Sequence, residues 1–206
     1  MKRNSWLRVA AGVFAGALAS GALAAPAHAG VLTTSAVDCH DGALTQPFAQ
    51  WRDDADYKNV ATFENGTAGW TLTGGAKVVA GNEPAQVSGG GDAKSLQLPS
   101  GSTATTPPVC VGLAEPTLRF FAKRDSGLLS SVVVSVQVQT SLGVWLTLPL
   151  GVDLGGAWHP SGRMLILANL LPLLPPDRTA VRFTFAPLLG SYQIDDVYVD
   201  PMHRAA

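Results

Sequence analysis

VVVSVQVQT, residues 132–140, places Val134, Val136 and Val138 on one face of an extended chain and Ser135, Gln137 and Gln139 on the other. Successive side chains of a strand point to opposite sides, so this period of two marks a half-buried antiparallel strand. Working outward, short apolar or alternating runs recur, each bounded by Gly, Pro, Asn or Asp. They read as strands over 60–64, 69–73, 76–80, 95–99, 117–124, 144–150, 163–169, 180–186 and 192–199. About ten short strands divided by turn residues, with no long helical pattern between them, predict an all-β antiparallel sandwich. The ambiguous stretch is RMLILANLLPLLPP (163–176). Pro172, Pro175 and Pro176 break a helix, so it reads as a strand to about Asn169 and then an apolar loop, 170–176. That loop either caps one end of the sandwich or offers a patch to a partner.

The composition narrows the class. The chain has 206 residues, 47% hydrophobic and 14% charged, which excludes disorder over its length. A formal charge of −1 lacks the basic footprint of a nucleic-acid binder. Residues 1–29 carry Lys2, Arg3 and Arg8, then an Ala/Gly-rich apolar run, then Ala27-His28-Ala29. That order predicts a secretory signal peptide cleaved after Ala29, with no membrane span in the mature chain. Three of the 14 basic residues and none of the 15 acidic ones leave with it, so the secreted, extracellular chain carries 11 − 15 = −4. Cys39 and Cys110 then enter an oxidising compartment, where a disulfide is the first expectation. Such a loop closure contributes about 4 kcal/mol when unstrained. A free thiol beside His40 is the alternative. Residues 30–59 read as an arm before the core, 60–201 as the sandwich and 202–206 as a polar tail. Asp53, Asp54 and Asp56 in the arm lack the spacing of a calcium loop and read as a solvated acidic turn.

Three segments carry a resemblance. FENGTAGWTLTGGA (63–76), AWHPSGRMLILANL (157–170) with TAVRFTF (179–185), and YQIDDVYVDP (192–201) resemble, in order and spacing, the jelly rolls of carbohydrate-binding-module-like, galactose-binding-like domains. The whole also resembles a group of secreted actinobacterial proteins, a likeness that implies no particular activity. The resemblance implies an antiparallel jelly roll whose first and last strands are adjacent, bringing Glu64 toward Asp195 or Asp196. Alternation lets only one of these two face Glu64, and Asp195, directly after Ile194, is the preferred one. The resemblance further implies a structural calcium held by Glu64, Asp195 and Asp196; solvated acids paired with Arg182 or a lysine are the alternative. No other cofactor is expected.

No motif announces catalysis. Neither HExxH nor GxSxG occurs, so no catalytic residue is assigned. Aromatic rings can stack on a sugar, and Trp145, Trp158 and Tyr192 are the candidate ligand-binding residues, whereas Trp70 alternates in phase with Leu72 and reads as core. The first expectation for function is a secreted non-catalytic binding module for a glycan or another cell-envelope component. A structural or protein-interaction domain of the cell surface is the alternative. A polysaccharide hydrolase or lyase using Glu64 comes third.

Overall fold

A computed structural model describes residues 44–140, 142–167 and 178–200. These residues belong to one unit, Val31–Ala206. The signal segment, Cys39, the tail and the 170–176 loop lie outside the described residues. In chain order the strands are β1 (Leu44–Thr45), β2 (Tyr57–Ala61), β3 (Thr71–Thr73), β4 (Lys77–Ala80), β5 (Lys94–Leu98), β6 (Thr103–Thr105) and β7 (Val109–Val111). They continue with β8 (Thr117–Arg124), β9 (Ser131–Gln139), β10 (Trp145–Asp153), β11 (His159–Pro160), β12 (Met164–Leu165), β13 (Thr179–Leu188) and β14 (Tyr192–Asp200).

They form two antiparallel sheets, as the alternation predicts. In the eight-stranded sheet, β14 is the central strand. One edge of β14 carries β8, which is flanked by β11 and β12. The other edge carries β5 along Tyr192–Ile194 and β2 along Val197–Val199, with β4 and β1 outside them. The six-stranded sheet runs β10-β9-β13-β6-β3, and β7 also pairs with β13. The first and last strands of the sandwich, β2 and β14, are thus adjacent.

The core lies between the inner faces. Val134, Val136 and Val138 of β9 meet Phe183 and Phe185 of β13, opposite Leu96, Phe120 and Ile194 of the other sheet. Burying side chains of this size contributes about 1.5–3 kcal/mol each. A second apolar cluster lies on the outer side of the eight-stranded sheet, where Phe48 of the arm packs on Tyr57, Phe121 and Tyr198. Phe48 stacks on Phe121 with ring centroids 5.4 Å apart.

Residues 44–59 of the arm therefore pack on the sandwich, and Asp53, expected in a solvated acidic turn, is not solvated. Asp53 is buried. It accepts hydrogen bonds from the Tyr57 hydroxyl at 2.7 Å and from Arg119 and Arg163. Burial pushes its carboxyl up, but the bonds from Arg163 and Tyr57 outweigh this and hold it below its usual value. Two guanidiniums, one of them on the buried Arg119, draw the acid inward.

Candidate cation site and binding face

β14 changes neighbours halfway along one edge, and its register with β2 and β8 slips at Asp195–Tyr198. Asp196 has φ 46°, left-handed for a non-glycine residue. Such backbone strain clusters at functional sites. The bulge breaks the alternation that would have sent Asp195 and Asp196 to opposite faces, and both are fully buried. Between the ends of β2 and β5 the chain supplies more acids. Glu64 follows β2, Glu83 follows β4, and Asp92 leads into β5.

Glu83, Asp92 and Asp196 form the centre: one carboxylate oxygen from each lies within 4.8 Å of the others. Glu83 is held by the backbone N–H groups of Ala85 at 2.5 Å and Val87 at 2.6 Å. Ser88 and Tyr198 donate their hydroxyls to Asp196 Oδ1. Glu64 Oε1 accepts from the N–H groups of Ala93 at 2.8 Å and Lys94 at 2.5 Å, and its carboxyl neighbours Asp92. Glu64 thus reaches the cluster through Asp92, and the Asp that completes the centre is Asp196 rather than the preferred Asp195. Asp195 Oδ1 accepts from the Asp196 N–H beside it.

Among the described residues, both Asp92 oxygens, Asp195 Oδ2, Asp196 Oδ2 and Asn82 Oδ1 are buried without a hydrogen-bond partner. Such groups are costly, and burying an ionised carboxylate costs several kcal/mol even after relaxation. Burial and then the neighbouring carboxylates push Asp92 up to about 6, Asp196 to about 7 and Asp195 to about 9. Burial also raises Glu64, but the Ala93 and Lys94 N–H groups bring it below its ordinary value. The donor set is all oxygen, which suits calcium. A hard cation 2.3–2.6 Å from each donor leaves those donors no more than about 5 Å apart. The residues present fit that ion. Glu83 and Asp92 carry no sequence signal, since they lie in the β4–β5 loop with no ligand spacing.

The aromatic candidates separate. Tyr192 is fully buried, and its hydroxyl donates to the carbonyl of Ser130 at 3.0 Å. It is a core residue and offers no ring face to a ligand, a correction to its candidacy. Trp158 is half-buried against the Phe48 cluster, with Lys123 Nζ 5.5 Å from its ring centre. Trp145 lies on the opposite side of the molecule. It is paired with Gln139 on β9 and is 37% exposed. Arg182 of β13 lies over its ring at 4.6 Å. The same outer face carries Gln137 beside Arg182, then Ser135, Thr184, Thr105 and Thr71 in one cross-strand row. Thr105 and Thr184 share a hydrogen bond of 2.9 Å. Cys110 sits on β7; its expected partner Cys39 lies outside the described residues.

No family model and no curated protein matches the chain. Among solved structures it is similar to the CBM22-1–GH10 portion of Clostridium thermocellum endo-1,4-β-D-xylanase 10B, complexed with xylohexaose. The identity is 16%, over 72% of this chain and 29% of that one, with a TM-score of 0.48. It is also similar to the CBM22-1 xylan-binding domain of Paenibacillus barcinonensis Xyn10C (16% identity, 72% and 96% covered, TM-score 0.47). A third is the family 11 carbohydrate-binding module of C. thermocellum, in complex with a β-1,3-1,4-mixed-linked tetrasaccharide (15%, 72% and 98%, TM-score 0.43). The fold described above rests on its own strand order rather than on these likenesses.

Proposed function

We propose that this chain is a secreted, non-catalytic carbohydrate-binding module, clamped by a structural calcium at Glu83, Asp92 and Asp196 and by a Cys39–Cys110 disulfide. The observation that carries the reading is the outer face of the six-stranded sheet. There an exposed Trp145 stands beside Arg182, Gln137, Gln139 and a row of hydroxyls, on a rigid surface without a carboxylate in that row. An indole face stacks on the C–H face of a sugar ring, and amides, hydroxyls and a guanidinium hydrogen-bond its hydroxyls. The burial of Asp195 and Asp196, the expected partners of Glu64, counts against a glycosidase pair there.

The test is a glycan array followed by retention on the polysaccharides it identifies. Trp145→Ala is expected to weaken retention at least tenfold, about 1.4 kcal/mol. Retention equal to that of the unaltered protein would remove the sheet face from consideration.

A protein-interaction domain is the second reading, favoured by one observation. Leu146, at 49%, and Leu148, at 37%, are exposed on β10, and Leu165 and Leu167 are each 62% exposed. Apolar surface of this kind marks partner contacts. A silent array, with co-purification of an envelope protein lost on Leu165→Glu, would favour it.

A further inference from the structure

A cavity of about 270 Å³ lies beside the first turn of the sandwich, away from the Trp145 face. We propose that it is a second binding site, which takes a single uncharged pyranose unit such as the end of a glycan chain. The proposal rests on the carbohydrate reading above and adds a location and a ligand class to it.

The lining explains the choice. One wall is β2 from Asn59 to Ala61. β14 pairs with one edge of that strand, whereas β1 covers only Tyr57 and Lys58 on the other. Among the described residues no strand pairs with Asn59–Ala61 along that edge. Trp70 supplies the aromatic surface, backed by the buried ring of Phe63. Their ring centroids are 5.3 Å apart, and Trp70 stacks in turn on Phe185 of the core at 6.2 Å. Trp70 is half-buried, so it is anchored at its back and still lines the cavity.

The loop between β2 and β3 is built to hold this arrangement. Phe63 has φ 61°, a left-handed conformation that is an outlier for a bulky residue. The Gly66 N–H closes a turn on the Phe63 carbonyl at 3.0 Å, and the Trp70 N–H closes another on Thr67 at 3.0 Å. Held strain of this kind persists only where the surrounding structure imposes it. The same twist turns Glu64 away to Ala93 and Lys94, leaving its neighbours Thr62 and Asn65 to line the cavity.

None of the lining residues is ionisable. A charged ligand would find no counter-ion, whereas a hydroxyl-rich neutral ring finds amides, a threonine hydroxyl and the Trp70 ring. The volume of about 270 Å³ is just below the range of roughly 300–1,000 Å³ typical of small-molecule sites, which suits one ring.

The experiment titrates the whole mature protein with methyl pyranosides of glucose, galactose, mannose and xylose, read by saturation-transfer and chemical-shift NMR. At least one pyranoside is expected to bind. Ala68→Trp, at an exposed position on the rim, should weaken it at least tenfold at an unchanged melting temperature. Asn65→Ala should weaken it several-fold, and it decides the matter should Ala68→Trp fail to fold. Trp145→Ala should leave pyranoside binding unchanged. Absence of binding by all four, or binding that survives the pocket variants, overturns the proposal. Polysaccharide retention indifferent to Trp145→Ala would defeat the sheet-face reading alone.

Discussion

Both ring nitrogens of His159 face acceptors. Nδ1 lies 2.8 Å from the Ala157 carbonyl, and Nε2 lies 3.0 Å from Asp153 Oδ2. A neutral imidazole carries one N–H and satisfies one of them, whereas the imidazolium satisfies both. The Asp153 hydrogen bond accordingly raises the ring above its usual value, against the opposing effect of burial. A raised folded-state value adds stability that is complete below the unfolded value, near 6.5, and is lost as pH rises through the folded one. Melting temperatures followed from pH 5 to 9 should therefore show a decline in the unaltered protein that is smaller in Asp153→Asn. The difference between the two curves isolates this ring from the buried carboxylates. Superimposable curves would show that the pair does not couple to folding. Gly155 makes a second route to the same result: a Cβ there would lie 1.5 Å from His159 Cε1, so Gly155→Ala must displace the ring.

At the scale of the element, the arm is fastened by one carboxylate. Asp53→Ala leaves Arg119, which is 8% exposed, buried without its counter-charge. Breaking such a pair costs about 3–5 kcal/mol. Denaturant unfolding should show that loss, and hydrogen exchange should rise first over 44–57 and β8. A change below 1 kcal/mol would mean that the aromatic contacts of Phe48 suffice to hold the arm. The sequence shows why this was missed. The acids at 53, 54 and 56 are visible, but the arginines that bury Asp53 stand 66 and 110 positions away. Strands long enough to display a period are legible: β8 has the predicted bounds, and β9 differs by one residue at each end. β1 and β11, with two residues each, are too short to show alternation, and among the described residues of 163–169 the strand is the two-residue β12. The acid site was legible only in part. Asp195, Asp196 and Glu64 lie in a resembling motif, whereas Glu83 and Asp92 are brought in by the loop that joins β4 to β5. The bulge that selects Asp196 has no periodic signature.

For the molecule as a whole, the four buried acids Glu83, Asp92, Asp195 and Asp196 are a liability that a cation removes. An ion bound only by the folded state adds about 2.7 kcal/mol at a hundredfold excess over its dissociation constant. Melting should therefore occur at lower temperature in chelator than in excess calcium. Asp92→Asn combined with Asp196→Asn should erase the difference. Identical melting curves of the unaltered protein in the two solutions would rule out the ion. The proposed disulfide acts at the same scale and has its own readout, since the exported protein should take up alkylating agent only after reduction.

The adjacency of β2 and β14 also decides how the sandwich responds to tension. Lys58 at the start of β2 lies opposite Val199 at the end of β14, so both strands open outward at the same end. A pull applied through the two ends of the domain peels this ladder one rung at a time. It does not load all the rungs together, as a shear would. The arm's carboxylate–guanidinium contacts lie just before the first rung and share the initial load. An exported module anchored at one end and gripping a polymer through its sheet face would bypass this weak seam, because force then enters through β10 and β9 instead.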